Sequence, residues 1–194
     1  MLYFLIAMGI ILLIFLWMLL RTLQLSVGNL NSASSEGVDL LKVNRQQASK
    51  HLSEAIQFQT ISKLKMEEAD GIPFLKYHHW LEESYPKMHA ALKKEVVNQY
   101  SLLYYWHGSN TRLAPVLFAS HLDVVPVDEA TLPAWHADPF KGEIKEGFIW
   151  GRGALDMKNH TVAMFEAVEE LIGAGFQPKR DIYFALGQDE EISG

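Results

Sequence analysis

The first twenty residues, MLYFLIAMGIILLIFLWMLL, contain no charge, and the first one follows at Arg21. A helix of about 20 apolar residues matches the hydrocarbon thickness of a bilayer, so residues 1–20 are expected to form a transmembrane anchor. A cleaved signal peptide is disfavoured, because no Lys or Arg precedes the apolar run and the run is too long for an h-region. Residues 21–44, which include SVGNLNSASSEG, turn small and polar and read as a flexible tether. From residue 45 to 194 the texture is that of a packed domain. Ala48, Leu52, Ala55 and Ile56 recur at helical spacing across 46–58. Across 74–97 the same spacing relates Leu75, Trp80 or Leu81, Tyr85, Met88, Leu92 and Val96, which predicts a second helix. The apolar runs YSLLYYW (100–106) and PVLFAS (115–120) predict two strands around the turn-like GSNTR. An irregular stretch over 126–153 precedes a helix over 157–174, with Val162, Phe165, Val168 and Leu171 or Ile172 facing inward. DIYFAL at 181–186 predicts a further buried strand. A strand, a long crossover with a helix and another strand predict an α/β domain with a largely parallel sheet.

Composition narrows the chemistry. The chain has 194 residues, 17 Lys plus Arg against 23 Asp plus Glu, and no cysteine. That length accommodates one domain with a core. The mildly acidic balance, without a basic run interleaved with aromatics, argues against a nucleic-acid partner. The lack of cysteine excludes disulfides and thiolate metal sites, so any metal must sit on His, Asp and Glu.

Three candidate clusters fall at strand ends or a helix start, where open α/β sheets place their ligands. His121 and Asp123 follow the 115–120 strand, and the aspartate can fix the tautomer of a metal-binding histidine. The alternative is simple solvation of a strand end. Asp156, in GRGALDMK, stands at the mouth of the 157–174 helix and could equally be a helix cap; Arg152 beside it is expected to bring a cation near the carboxylates. Asp189, Glu190 and Glu191 follow the last strand, either as a solvated loop or as a cation site. A neighbouring carboxylate can take a proton from a water whose pKa a metal has lowered to about 7.

The segments HLDVVPV, W-x-x-DPF, GRGALDMK and GQDEEISG, in that order, resemble the dinuclear zinc exopeptidases that include aminoacylase, acetylornithine deacetylase, succinyl-diaminopimelate desuccinylase and carboxypeptidase S. The upstream run from Phe74 through SLLYYWHGS is most similar to the carboxypeptidase S and N-acyl-amino-acid hydrolase branch. The resemblance implies a three-layer catalytic domain, of which 45–194 would be the N-terminal part. It also implies two Zn2+ ions, with Co2+ or Mn2+ as substitutes. Carried over by motif position, His121, Asp156 and Glu191 would be metal ligands, Asp123 would orient His121, and Glu190 would be the general base. The implied reaction is hydrolysis of an amide bond beside a free carboxylate in a peptide or N-acyl amino acid. Further ligands and a lid domain that mediates a homodimer would lie beyond Gly194, so this piece alone is expected to be inactive. Asn159, where many relatives have Gly, and Gln188 depart from the pattern. The sequon at Asn159 sits in the first turns of the site helix, so glycosylation is not expected there. Arg21 weakly favours a cytoplasmic domain, whereas the resemblance favours the non-cytoplasmic face, and the latter is preferred. A catalytically inactive membrane-tethered binding protein of the same fold is the alternative.

Overall fold

The structure, a computed structural model, describes residues 2–24 and 43–194; most of the expected tether lies outside the described residues, and its first four, 21–24, continue the N-terminal helix. The N-terminal helix α1 (Leu2–Gln24) is a unit by itself. Its span Tyr3–Leu23 is long and apolar enough to cross a membrane.

The second unit carries α2 (Arg45–Ile56), α3 (Ile72–Ser84), α4 (Pro86–Ala91), β1 (Lys93–Val97), β2 (Ser101–Trp106) and β3 (Val116–His121). It continues with β4 (Ile144–Lys145), β5 (Phe148–Ile149), α5 (Lys158–Gly173) and β6 (Ile182–Gly187). Asn44 starts α2 by accepting the Gln47 amide on its side chain, which satisfies one of the unpaired donors of the first turn.

The single helix expected over 74–97 is divided. Pro86 has no amide hydrogen to continue the ladder, so α3 ends at Ser84 and Pro86 opens α4. Lys93–Val97 is then a strand, reversed into β2 by Asn98 and Gln99, whose φ values of 47° and 77° are the left-handed geometry a tight hairpin needs. The buried face of α3 is also offset from the expected one: Phe74, Tyr77, His78 and Leu81 are buried, while Leu75 is 56% exposed.

The main sheet has the order β1-β2-β6-β3. It is mixed: β1–β2 and β2–β6 pair antiparallel, and only β3–β6 pair parallel. The parallel pair is the one joined through α5, as the sequence pattern implied. The sheet is therefore not largely parallel: a short hairpin, which can join only antiparallel strands, links β1 to β2, and β2 in turn lies antiparallel to β6. One face of the sheet, with Leu102, Tyr104, Trp106, Phe184 and Leu186, merges with residues of all four helices into a single core. Two of the three expected layers are therefore formed by described residues, and Leu117 on the other face is 61% exposed. The 126–153 stretch is irregular apart from a 3₁₀ turn (Glu129–Ala134) and the β4–β5 hairpin.

Phe165 lies at the centre of the core, fully buried with its ring edge-on to Tyr85 and Tyr104. Phe165→Ala should lower the unfolding free energy by about 3–5 kcal/mol in denaturant titration; a loss below about 1 kcal/mol would contradict the packing described.

Candidate metal centre

Parallel pairing puts the C-terminal ends of β3 and β6 side by side, with His121 opposite Gly187. Continuing past its strand, Leu122 donates its amide to the Gly187 carbonyl at 2.7 Å. The segment after β6 thus turns across the residues that follow β3. The crossover from β3 brings the N-terminus of α5 to the same edge. His121, Asp123, Asp156 and the 189–191 carboxylates meet there although up to 70 residues separate them.

His121 is 3% exposed. Its Nε2 lies 3.2 Å from Asp156 Oδ1 and 3.6 Å from Glu190 Oε2. Its Nδ1 is 3.0 Å from the Asp123 backbone oxygen and 3.3 Å from Asp123 Oδ1. One ring nitrogen therefore faces the open carboxylate cluster and the other is held from behind. Asp123 is fully buried. Its Oδ2 accepts from Ser62 Oγ at 2.6 Å and from the Glu191 amide at 3.1 Å, while Oδ1 accepts from the Glu190 amide at 3.3 Å. Burial raises the Asp123 carboxyl, but the bonds from His121, Ser62 and the Glu191 amide outweigh it and hold the group below its ordinary value. The same pairing raises His121 to about 9 against its own burial. Glu191 is pushed up by burial and then by the neighbouring Asp156 charge.

Asp156 does not cap α5, which has no side-chain cap bond; its side chain is directed to His121 and is 77% exposed. The Asp156–Met157 peptide is cis. One potential ligand atom from each of His121, Asp156 and Glu191 lies within 4.8 Å of the others. One imidazole nitrogen with two carboxylates is a donor set suited to zinc and similar divalent ions, and the hydrogen bond behind His121 is what such ligands require. The residues present therefore fit the expected metal. Arg152 departs from expectation: its guanidinium lies over the Trp135 ring at 5.3 Å rather than pairing with the carboxylates.

Several residues of this edge were not singled out from the sequence. Ser62 reaches Asp123 from a loop 61 residues earlier. Lys158, fully buried, donates to the carbonyls of Ala55 and Phe58 and lies 4.8 Å from the Tyr77 ring centroid; burial lowers its pKa to about 7. Gln188, noted only as a departure, is buried and accepts the Tyr100 and Ser101 amides on Oε1, tying the cluster loop to the start of β2. Contacts of this kind leave no local periodicity, and a lone Ser, Lys or Gln carries no signal by itself. Thr161 of the sequon is fully buried and bonds Ser120.

In the metal-free protein His121 should titrate near pH 9, followed by NMR of its ring protons. Because this pKa lies above the ordinary 6.5, the stability it contributes is complete below about pH 6.5 and is lost as the pH rises through about 9. Asp123→Asn should move the titration down; an unchanged midpoint would show that Asp123 does not set it.

The chain is similar to known proteins over most of the described domain. Residues 117–194 match the model of peptidase family M20/M25/M40. The chain is 44% identical over 145 residues to the probable carboxypeptidase S-like 2 of Dictyostelium discoideum, covering 74% of this chain and 28% of that protein. Carboxypeptidase S of Saccharomyces cerevisiae is 43% identical over 150 residues, with 74% and 26% covered. The mouse (Mus musculus) N-fatty-acyl-amino acid synthase/hydrolase PM20D1 is 39% identical over 145 residues, with 74% and 28% covered. The chain thus spans about a quarter of the length of these curated relatives. Among solved structures, an M20 family metallo-carboxypeptidase from Sulfolobus solfataricus superposes with a TM-score of 0.58 at 22% identity, over 75% of this chain and 31% of that one. Human carnosine dipeptidase 1 superposes at 0.57 and 21% identity, over 77% and 33%. At those identities the likeness shows the fold.

Proposed function

Since the chain belongs to peptidase family M20/M25/M40 through residues 117–194, we propose that it is the N-terminal part of a zinc-dependent hydrolase. Its substrates would be peptides or N-acyl amino acids, cut at the amide bond next to a free carboxylate. The observation that carries this reading is the convergence of His121, Asp156 and Glu191 within 4.8 Å at the sheet edge. Names of relatives, carboxypeptidase S on one side and a fatty-acyl-amino acid hydrolase on the other, support the substrate class.

In this reading His121, Asp156 and Glu191 hold the metal, two zinc ions when further ligands complete the site. Asp123 keeps the His121 Nδ1 proton in place so that Nε2 offers its lone pair. When bound, zinc lowers the pKa of the attacking water to about 7 and polarises the scissile carbonyl. Glu190, whose Oε2 lies 3.6 Å from His121 Nε2 and whose side chain is 64% exposed, faces the same cluster. It takes the proton from the attacking water as general base and returns it to the leaving amine. Its backbone amide, anchored on Asp123 at 3.3 Å, fixes where that carboxylate starts. Residues 1–20 would anchor the protein in a bilayer, residues 21–44 would tether it, and residues 45–194 would contribute to the catalytic domain on the non-cytoplasmic side. A lid domain elsewhere in the whole protein would close over the substrate and mediate a homodimer.

The test is metal content, together with hydrolysis of a panel of N-acyl amino acids and dipeptides, for the full-length protein and for Glu190→Ala. The wild type should bind about two zinc ions and cleave members of the panel. Glu190→Ala should keep the metal and lose at least about a hundredfold in turnover, the lower range of general acid–base catalysis. Metal without cleavage of any substrate would replace the hydrolase with a membrane-tethered binding protein of the same fold. No bound metal would sink the ligand assignment.

A further inference from the structure

Lys158 is the one fully buried ammonium among the described residues, and nothing in the proposed reaction uses it. A buried ammonium without a carboxylate is costly and persists only where its hydrogen bonds are supplied. Here they come from two backbone carbonyls, Ala55 in the last turn of α2 and Phe58 just after it, with the Tyr77 ring at 4.8 Å. A cation at a helix C-terminus also complements the dipole there. The grip therefore falls on the loop of residues 57–62 where it leaves α2. That loop is pinned again at its far end to the residues after β3. Thr60 Oγ1 donates to Leu122 O at 2.6 Å, Val124 donates its amide to Thr60 O at 2.9 Å, and Ser62 Oγ reaches Asp123 Oδ2 at 2.6 Å.

Lys158 stands two residues after Asp156, at the first position of α5. Its amide closes back on Gly153 O at 2.9 Å, and Gly153, with φ of +83°, packs on its alkyl stem. A Cβ added at Gly153 would come within 3.0 Å of Val124 Cγ1 and 3.2 Å of Lys158 Cδ, closer than ordinary contact, and the φ of +83° itself favours glycine where the loop bearing Asp156 lies against both.

We propose that Lys158 is a positioning residue for the metal centre. It is a strut that fixes the Asp156 segment, through the 57–62 loop and Ser62, relative to the Asp123 carboxylate that orients His121. Resting on the proposed metal site, this inference adds a part of the fold that sets the spacing of its ligands. The strut runs from Lys158 to the Phe58 carbonyl, which also accepts the Thr60 amide at 2.9 Å, along the chain to Ser62, and from Ser62 to Asp123 and His121. A side chain that merely filled space would not need to present an ammonium to two carbonyls.

The test measures zinc affinity and the visible absorption of the Co2+-substituted full-length protein, with the thermal midpoint of the metal-free form recorded alongside. The variants are Lys158→Met, Ser62→Ala and the double change. Each single variant should weaken metal binding about tenfold or more, the usual effect of removing an outer support of a ligand, and should alter the Co2+ spectrum. Because both act through one path, the double variant should be no weaker than the stronger single variant by more than about twofold. Unchanged affinity and spectrum in either folded single variant would overturn the strut, and so would fully additive losses. Should Lys158→Met fail to fold, Lys158→Gln, which keeps a donor without the charge, takes its place under the same criteria. A wild type that binds no metal would instead sink the proposed function itself.

Discussion

A carboxylate buried to zero exposure is tolerated only if hydrogen bonds replace the water it has lost, and at the functional edge of this domain that carboxylate is Asp123. Its partners are His121, the Ser62 hydroxyl and the amides of Glu190 and Glu191. They come from three separate parts of the chain, so satisfying one charge ties the end of β3, the loop after α2 and the loop after β6 together. Removing a partner from such a charge typically costs about 3–5 kcal/mol, which makes the convergence robust. The consequence for chemistry is immediate. The amides that satisfy Asp123 belong to the two glutamates that extend toward His121, and the imidazole it grips turns its free nitrogen to Asp156.

The sheet makes this geometry available. Only one of its three strand pairings is parallel, and it is the pairing that matters. Two parallel strands end at the same edge, and their crossover helix begins there as well, so the end of β3 and the turns that precede α5 and follow β6 bring the three proposed ligands together. The antiparallel pairings of β1 and β2 extend the sheet and bury its core face through Leu102, Tyr104 and Trp106. Lys158 and Ser62 then brace the edge from beneath.

What could be read in the sequence follows from how local each signal is. The strands at 100–106, 115–120 and 181–186 declared themselves as short apolar runs, and α5 by its spacing of Val162, Phe165 and Val168, all of them buried. β1 did not, because KKEVV is charged and largely exposed and becomes a strand only through pairing with β2. The long helix over 74–97 overlooked Pro86, which is enough to end one helix and start another. Of the candidate site, His121, Asp123, Asp156, Glu190 and Glu191 stood out in the sequence because their types and order form motifs, and the structure brings them to one edge. The alternative of Asp156 as a cap is resolved only in three dimensions, where α5 has no such bond. Ser62, Lys158 and Gln188 act across 61 to 103 residues of sequence, and Arg152 chose the face of Trp135 over the carboxylates. No periodicity encodes those choices.

The central claim is that His121, Asp156 and Glu191 form one metal site at the end of the parallel strand pair. Anomalous scattering at the zinc edge from crystals of the full-length protein tests it most directly. The account predicts a zinc peak with His121 Nε2 and oxygens of Asp156 and Glu191 at roughly 2.0–2.2 Å. A zinc peak ligated by other residues, with His121 still bonded to Asp156 alone, would contradict it.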